Sequence, residues 1–309
     1  MKAPRNFSSK RGFTLMELMV AMAITTIIVT VLVSITSIAM DTWNRSRAEL
    51  RASRQAKGMV DCMVRDFEAL VTRRGNAYEW LSAISAKPLP GDKLMSTNAA
   101  ELIFFSAATD RYDGEIGINN KKDKGGDVSC VAYRLFYKDP IDANGITFKT
   151  FVLNRLLVNP DNTFNDLLGK PDLTAAFASY SGKLENVENF VCENIFQFTI
   201  TFHVEATHVT GTTSQVVNVP VTVGQTSSGQ MTQSLKIKGT GIEAQIAGNS
   251  VTADELKAGR ITAMEVSLTV LSDFGVDQLR NRPFTDSQKA EFLAKNAYQY
   301  TKLVQIPSM

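Results

Sequence analysis

The 309-residue sequence has few of the residues that build catalytic or metal centres. It contains only two histidines, His203 and His208. On a strand, His203 and Glu205 would point to one face and His208 to the other, so a zinc site with three ligands is not expected. No GxSxG, HExxH, Walker A or GxGxxG pattern stands where a strand and a helix could present it. The sequence therefore predicts a protein that is not an enzyme.

Cysteine is also scarce, with Cys62, Cys130 and Cys192 far apart and no CxxC pair. This spacing excludes a zinc ribbon and a scaffold held by many disulfides. Cys130 and Cys192 both fall in predicted strands, so they could form one disulfide in an oxidising compartment. Two unpaired buried thiols are an equally good interpretation.

An excess of charge of either sign is missing too. The chain has 33 lysines and arginines against 31 aspartates and glutamates, a formal net charge of +2. This balance argues against a surface dedicated to nucleic acid and against an acidic solvating tail. No nucleic-acid partner is expected.

One stretch near the N-terminus lacks charge altogether, from Leu18 to Met40. As a helix it is long enough to cross a bilayer core of about 30 Å. The preceding leader, MKAPRNFSSKRG, is basic and has no acid, which favours a cytoplasmic N-terminus, although basic residues between Arg45 and Lys57 weaken this asymmetry. The pattern predicts a single membrane-spanning segment.

Glu17 is the one acid inside the apolar region that begins at Phe13. A cleavable signal peptide would have a shorter apolar run followed by a small-x-small site. A plain anchor has no reason to carry a carboxylate there, because an ionised side chain is costly in lipid unless it is paired. Glu17 therefore requires a partner.

The residues Gly12 to Glu17, GFTLME, follow basic residues and precede a long apolar run. They resemble the processing site of type IV prepilins and type II secretion pseudopilins, in which a membrane-embedded aspartyl peptidase cuts after the glycine and methylates the new amino group. The resemblance implies cleavage between Gly12 and Phe13, N-methylation of Phe13 and an assembly role for Glu17. The Glu17 carboxylate would pair with the Phe13 amine of the same subunit or of a neighbour.

A second resemblance rests on the strings TFNDLL, ENVENFVCENIFQFTITFHVE and ITAMEVSLTVLSD and on the ending YTKLVQIPSM. They resemble the prepilin-type proteins called Verru_Chthon cassette protein C and, more loosely, the J-type minor pseudopilins, which belong to the tip of a short periplasmic filament. The resemblance implies a minor pseudopilin of the inner membrane with its head in the periplasm. Its partners would be other pseudopilins or pilins, the prepilin peptidase, the inner-membrane assembly platform and the lipid bilayer. A surface-exposed, adhesive pilin-like subunit is the alternative.

Helical periodicity continues after the apolar run and predicts one helix from Phe13 to about Arg74, with Gly75 as its stop. Beyond it, short β-rich runs predict a mostly antiparallel sheet. These runs are 101–107, 128–137, 147–158, 195–204, 216–223, 234–242 and 261–271, and helices are predicted at 80–84, 163–168 and 286–304. The segments are a prepilin leader (1–12), a transmembrane half (13–40) and an amphipathic half (41–75) of the helix, and a head (76–309). The predicted fold class is α+β and pilin-like, a long N-terminal transmembrane helix packed on a β-sheet head.

Two stretches, 110–127 and 207–234, are rich in Gly, Asn, Thr and Ser, which predicts surface loops or hairpin tips. The first carries four aspartates, Asp110, Asp113, Asp123 and Asp127. Calcium prefers such oxygens, but the spacing departs from an EF-hand and three lysines intervene. A solvated loop is the favoured interpretation, a calcium site the alternative, and no other cofactor is expected.

Overall fold

The computed structural model describes residues 14–85, 88–91, 93–107, 126–142, 148–225, 231–232, 234–244, 251–281 and 284–306. The chain divides between Ala48 and Glu49 into two compact units, which we call the N-terminal unit and the larger unit. Helix α1, Leu15–Glu68, supplies residues to both. In the N-terminal unit its apolar side chains, such as Leu18, Ile28 and Ile35, are exposed.

The predicted helix end near Arg74 is wrong, because the chain leaves the helix after Glu68 and runs beside a strand. The N–H of Val71 donates to the carbonyl oxygen of Phe105 at 2.9 Å, and the N–H of Ala107 donates to that of Ala69 at 2.8 Å. These bonds satisfy backbone groups that a longer helix would have paired internally. Pairing with the sheet therefore ends the helix before Gly75 is reached.

The described residues of the larger unit form two β-sheets. Its strands are β1 Glu79–Ser85, β2 Ala100–Ser106, β3 Ser129–Lys138, β4 Thr150–Val158, β5 Phe190–Glu193, β6 Ile195–Thr210, β7 Thr213–Gln225, β8 Met231–Thr232, β9 Ser234–Lys238, β10 Gly241–Ala244, β11 Arg260–Leu271 and β12 Ala297–Gln305. The first sheet has the order β10-β9-β1-β2-β3-β4-β5 and the second β12-β11-β6-β7-β8. All these strand pairs are antiparallel. The predicted α+β class, a long N-terminal helix with an antiparallel β-rich head, is confirmed, although the sequence did not predict two separate sheets.

The first sheet is buried on both faces. On β2, Leu102 and Phe104 belong to a core shared with α1 and the second sheet, whereas Ile103 and Phe105 belong to a separate core. Successive strand residues point to opposite faces, so a strand that is covered on both sides needs a continuous apolar run. The sequence AELIFFS of β2 has this character.

The part of α1 in the larger unit buries one face in the first of these cores. The buried apolar residues are Ala52, Ala56, Met59, Val60, Met63, Val64 and Phe67. Their steps of three and four residues place them on one side of the helix. The predicted amphipathic face is confirmed here, although Leu50, with which the predicted series of apolar residues began, is 59% exposed.

Short helical segments cover the other face of the first sheet. They are α2 Pro160–Asn162, a π-helical turn Thr163–Leu167, α3 Leu173–Phe177, a 3₁₀ turn Ala178–Tyr180, α4 Ser181–Leu184 and a 3₁₀ turn Val187–Asn189. Leu167, Leu173 and Phe177 are buried in the core that also contains Phe105. The prediction of helix near 163–168 is confirmed. The remaining helices are α5 Ala253–Lys257, α6 Asp273–Asn281 and α7 Asp286–Asn296.

Two of the predicted helices are wrong in whole or in part. The predicted helix 80–84 is strand β1, because it pairs with β2 on one side and β9 on the other. The predicted helix 286–304 is α7 followed by β12, which pairs with β11 along its whole length. The stretch 207–234 was predicted as surface loops or hairpin tips, and the second alternative holds for most of it, because it consists largely of the β6–β7 hairpin, whose turn contains Gly211 with a φ of 64°.

Candidate functional site

Glu17 caps the N-terminus of α1. Thr14 precedes the first helical residue, and its N–H and its hydroxyl both donate to Oε2 of Glu17 at 2.9 Å. The N–H of Glu17 donates in return to Oγ1 of Thr14 at 3.2 Å. This reciprocal arrangement is a capping box, and it satisfies N–H groups that the first helical turn leaves unpaired. The sequence T-x-x-E at 14–17 is the signature of such a capping box, although the predictions above did not include it.

The other carboxylate oxygen of Glu17, Oε1, takes no part in the capping box. Within the part of the chain that the structure describes, Oε1 accepts no hydrogen bond. Gly12 and Phe13, the predicted cleavage and methylation residues, lie outside the described residues. The geometry therefore shows one oxygen engaged in the cap and one available to a further donor, and the predicted pairing with the Phe13 amine stays a prediction.

The apolar run of α1 contains hydroxyl groups, and most of them are satisfied within the helix. Six hydroxyls donate to the carbonyl oxygen four residues earlier, at 2.8 to 2.9 Å. They belong to Thr25, Thr26, Thr30, Ser34, Thr36 and Thr42. An unsatisfied polar group is expensive where water is absent, so this bonding makes the segment compatible with lipid. By length and composition, α1 is able to cross a membrane, with a mean hydropathy of 2.6 over its most apolar window.

A buried ionic cluster joins α1 to the first sheet. Arg155 Nε donates to Oδ2 of Asp66, and Arg155 Nη2 donates to Oδ1, each at 2.8 Å. The Tyr133 hydroxyl also donates to Oδ2. The side chains of Asp66 and Arg155 are only 6% and 12% exposed. Burial, and then the charge of Asp66, raise the pKa of Tyr133 well above its ordinary value, so the phenol stays a neutral donor. No pattern in the sequence indicated this cluster.

The possible Cys130–Cys192 disulfide is wrong, because both thiols are free and buried. Cys130 lies in the core beneath the helical segments, and Cys192 lies in the core on the opposite face of the same sheet. The alternative interpretation, two unpaired buried thiols, is confirmed. Burial raises the pKa of both, for Cys192 to about 12, so neither is a thiolate at neutral pH.

We expect only Cys62 to react with N-ethylmaleimide in the folded protein, because it is partly exposed whereas Cys130 and Cys192 are buried and protonated. Mass spectrometry of labelled peptides measures this. All three cysteines should react after unfolding in urea without reductant. Protection of Cys130 and Cys192 that persists in urea and disappears only on reduction would contradict the assignment.

The two histidines lie apart on β6. His203 Nε2 is 3.9 Å from a carboxylate oxygen of Glu265, and His208 Nδ1 is 3.2 Å from one of Glu255. Hydrogen bonds from the N–H groups of Thr252 and Val209, and then from His208, lower the pKa of Glu255 to about 2. No group of three His, Cys, Asp or Glu side chains in the described ranges could hold a metal ion.

The proposed calcium ligands fall almost wholly outside the structure's described part. Asp110, Asp113 and Asp123 belong to the stretch 108–125, which is not described. Of the four aspartates, Asp127 alone lies among the described residues. Calcium binding in this stretch stays an untested alternative.

One family model matches the chain, at the segment that contains the cap. Residues 7–33 match the prokaryotic N-terminal methylation motif. This match includes Gly12, Phe13, Thr14 and Glu17. It covers a small part of the sequence and leaves the larger unit unassigned.

Comparisons beyond that segment add little. No curated protein matches the sequence significantly. Among solved structures, a type IV-like pilin from Thermus thermophilus aligns over 83% of this chain and 97% of its own, at 10% identity and a TM-score of 0.31. A score this low does not establish a shared fold. What the comparisons show is that this α+β chain carries, at residues 7–33, the prokaryotic N-terminal methylation motif.

Proposed function

We propose that this protein is a pilin-like subunit, processed by a prepilin peptidase between Gly12 and Phe13 and methylated on Phe13. The observation that carries the proposal is the match of residues 7–33 to the N-terminal methylation motif. The apolar start of α1, with its hydroxyls bonded internally, supports anchoring in a membrane before assembly.

The cap at Glu17 supports an assembly role. Cleavage before Phe13 creates an amine only three covalent bonds from the Thr14 nitrogen that Glu17 already binds. Oε2 serves the helix of its own chain, and Oε1 is available for the amine of a neighbouring subunit. Such a pair removes two unpaired charges from lipid and sets the axial register between neighbours.

The surface beside Glu17 suits contact with another helix. Ala21 and Thr25 follow Glu17 at steps of four residues on one face of α1, and all three line a shallow groove. Short side chains at this spacing let the backbones of two helices approach closely in a membrane. A neighbouring helix that lies in this groove would also reach the Glu17 carboxylate.

Among pilin-like proteins, a minor pseudopilin of a type II secretion-like system is the function that we favour. The large β-rich unit supports this role, because a subunit at the tip is not limited in size by packing along a filament shaft. We place the protein in the inner membrane with its N-terminus in the cytoplasm and the larger unit in the periplasm. Neighbouring pseudopilins and the assembly platform would be its partners.

A surface-exposed adhesive pilin is the second candidate. The end of the β6–β7 hairpin favours it, because Val209 and Val216 are 55% and 61% exposed there. Exposed apolar residues at a hairpin end are available to another surface. Cell fractionation separates the two functions, since the first requires retention in the inner membrane and periplasm and the second requires exposure outside the cell.

Mass spectrometry of the N-terminal peptide from the protein in its native membrane tests the processing. We expect a chain that begins with N-methylated Phe13. A chain that begins at Met1, or after a small-x-small site further along, would overturn the proposal and leave a simple anchored or secreted protein.

Gly12→Leu should block this cleavage. A leucine side chain prevents the extended backbone from entering a tight active site, whereas glycine adds no bulk. The same mass measurement should then show the uncut precursor. Ser9→Leu, a change in the same leader away from the cut, is the control and should be processed normally. Normal processing of Gly12→Leu would show that the cut lies elsewhere.

A further inference from the structure

The first sheet has a gap between β4 and β5. β5 pairs with β4 only at Val152, Leu153 and Asn154, and the register shifts there because Phe190 and Cys192 face consecutive residues of β4. The rest of β4, from Arg155 to Val158, continues to pair with β3 on its other side. Beyond Asn154, the chain that leads into β5 therefore diverges from β4.

A cleft of about 640 Å³ fills this gap. One wall is formed by five consecutive residues, 155–159, and the other includes the consecutive residues 188–191. Successive side chains of a strand point to opposite faces of its sheet. Five consecutive residues can therefore line one cleft only along the edge of the strand, so the cleft lies where a further strand would lie.

The backbone of Leu157 faces this cleft. The hydroxyl of Thr163 accepts from the N–H of Cys130 and donates to the carbonyl oxygen of Val158, which directs the Val158 carbonyl towards β3. Backbone groups alternate in direction along a strand, so those of Leu157 point away from β3. Within the described residues, β5 does not extend far enough to pair with them.

The side chains of the cleft suit peptide groups. Four asparagines line it, Asn159, Asn162, Asn186 and Asn189. Each side-chain amide can donate and accept, as a peptide group does. Oδ1 of Asn159 is buried and accepts no hydrogen bond from the residues that the structure describes. The cleft thus has polar groups that match a backbone.

The charges of the cleft are balanced. Lys183 and Glu188 carry opposite charges, and the guanidinium of Arg155 is bound to Asp66. A polyanion such as nucleic acid would need an excess of positive charge here, which the lining does not supply. A largely uncharged extended chain is compatible with it.

We propose that this cleft binds an extended polypeptide segment of a partner protein, which adds to the first sheet as a strand beside residues 155–158 of β4. Main-chain hydrogen bonds to the open edge would supply the affinity, and the asparagines would bind the outer edge of the segment. This inference stands on the larger unit alone and does not depend on processing at Gly12.

The proposal is tested by peptide selection. A phage-displayed library of random ten-residue peptides is selected for binding to the full chain in detergent. We expect amide hydrogen exchange at Leu157 to be fast in the free protein and slower when a selected peptide is bound. Exchange at Leu156 should be slow with and without peptide, because its backbone groups point towards β3. Leu157→Pro should weaken peptide binding by about tenfold or more, because proline removes the outward N–H and an edge strand tolerates it. Leu157→Ala keeps that N–H and is the matched control.

The proposal is overturned if no peptide is selected, or if selected peptides bind wild type and Leu157→Pro equally and leave exchange at Leu157 unchanged. The exchange measurement on wild type keeps the test valid even if the proline variant does not fold. A glycan array on the same chain gives the remaining outcome. In that outcome the array shows binding of an oligosaccharide that Asn162→Ala abolishes, with no peptide binding. This result would assign the amide-lined cleft to sugars and overturn the proposal that a peptide strand binds there.

Discussion

Asp66→Ala should lower the free energy of unfolding of the larger unit by about 3 to 5 kcal/mol, because Arg155 is then left buried without its carboxylate. The Tyr133 hydroxyl loses its acceptor in the same change. Urea unfolding of the full chain in detergent measures the effect through the fluorescence of Trp80, which packs against Phe105 in a buried core. A Trp43→Phe background removes the signal of the second tryptophan.

Asp61→Ala is the matched control, since Asp61 lies on the same helix and pairs with Lys302 at 3.0 Å. Both of these side chains are close to half exposed, so the loss should be much smaller than that of Asp66→Ala. The double variant Asp66→Ala/Arg155→Ala should lose less than the sum of the two single variants, because neither charge is then left alone. An Asp66→Ala loss no larger than that of Asp61→Ala would show that the cluster does not hold α1 to the sheet.

Glu17→Gln should lower incorporation into filaments by about tenfold, because it removes the charge that would pair with the Phe13 amine. Glutamine can take the N3 position of a capping box, so the helix start is kept while the charge is removed. Cleavage before Phe13 should be unaffected. Quantitative immunoblotting of sheared or purified filaments against total processed subunit measures the change, and Glu17→Ala should show at least the same defect.

Thr14→Ala separates the two roles of Glu17. It removes the hydroxyl that binds Oε2 but leaves the carboxylate free to bind an amine. We expect it to be incorporated nearly normally, with a modest loss of helix stability at the first turn. If Glu17→Gln is incorporated normally and Thr14→Ala is not, the carboxylate acts as a cap and not as an ionic partner between subunits.

Periodic patterns predicted much of this fold. The steps of three and four residues from Ala56 to Phe67 identified the buried face of α1, and the alternation in β6 and β11 identified two central strands of the second sheet. These patterns are informative because each element has one face in a core and one in solvent. Glu17 stood out for a different reason, because an acid inside an apolar run is costly in lipid unless it is paired.

The failures have physical causes. The stretch 80–84 has the length of one helical turn, and only the strands on both sides of it decide that it is β1. Residues 297–305 directly follow helix α7, and they form a strand because they pair with β11. This pairing is a tertiary contact, which local sequence propensity does not predict. The cluster of Asp66, Tyr133 and Arg155 joins residues distant in the sequence, so only the fold brings them together.

The internally bonded hydroxyls of α1 also bear on the exchange of subunits between bilayer and filament. Six hydroxyl protons of this helix return to its own carbonyls, so these groups carry their hydrogen bonds with them. Transfer from lipid to a bundle of helices then leaves these six hydrogen bonds unchanged. We therefore expect the partition between the two environments to be close to balanced for this run, so that a subunit drawn from the membrane reservoir can be returned to it.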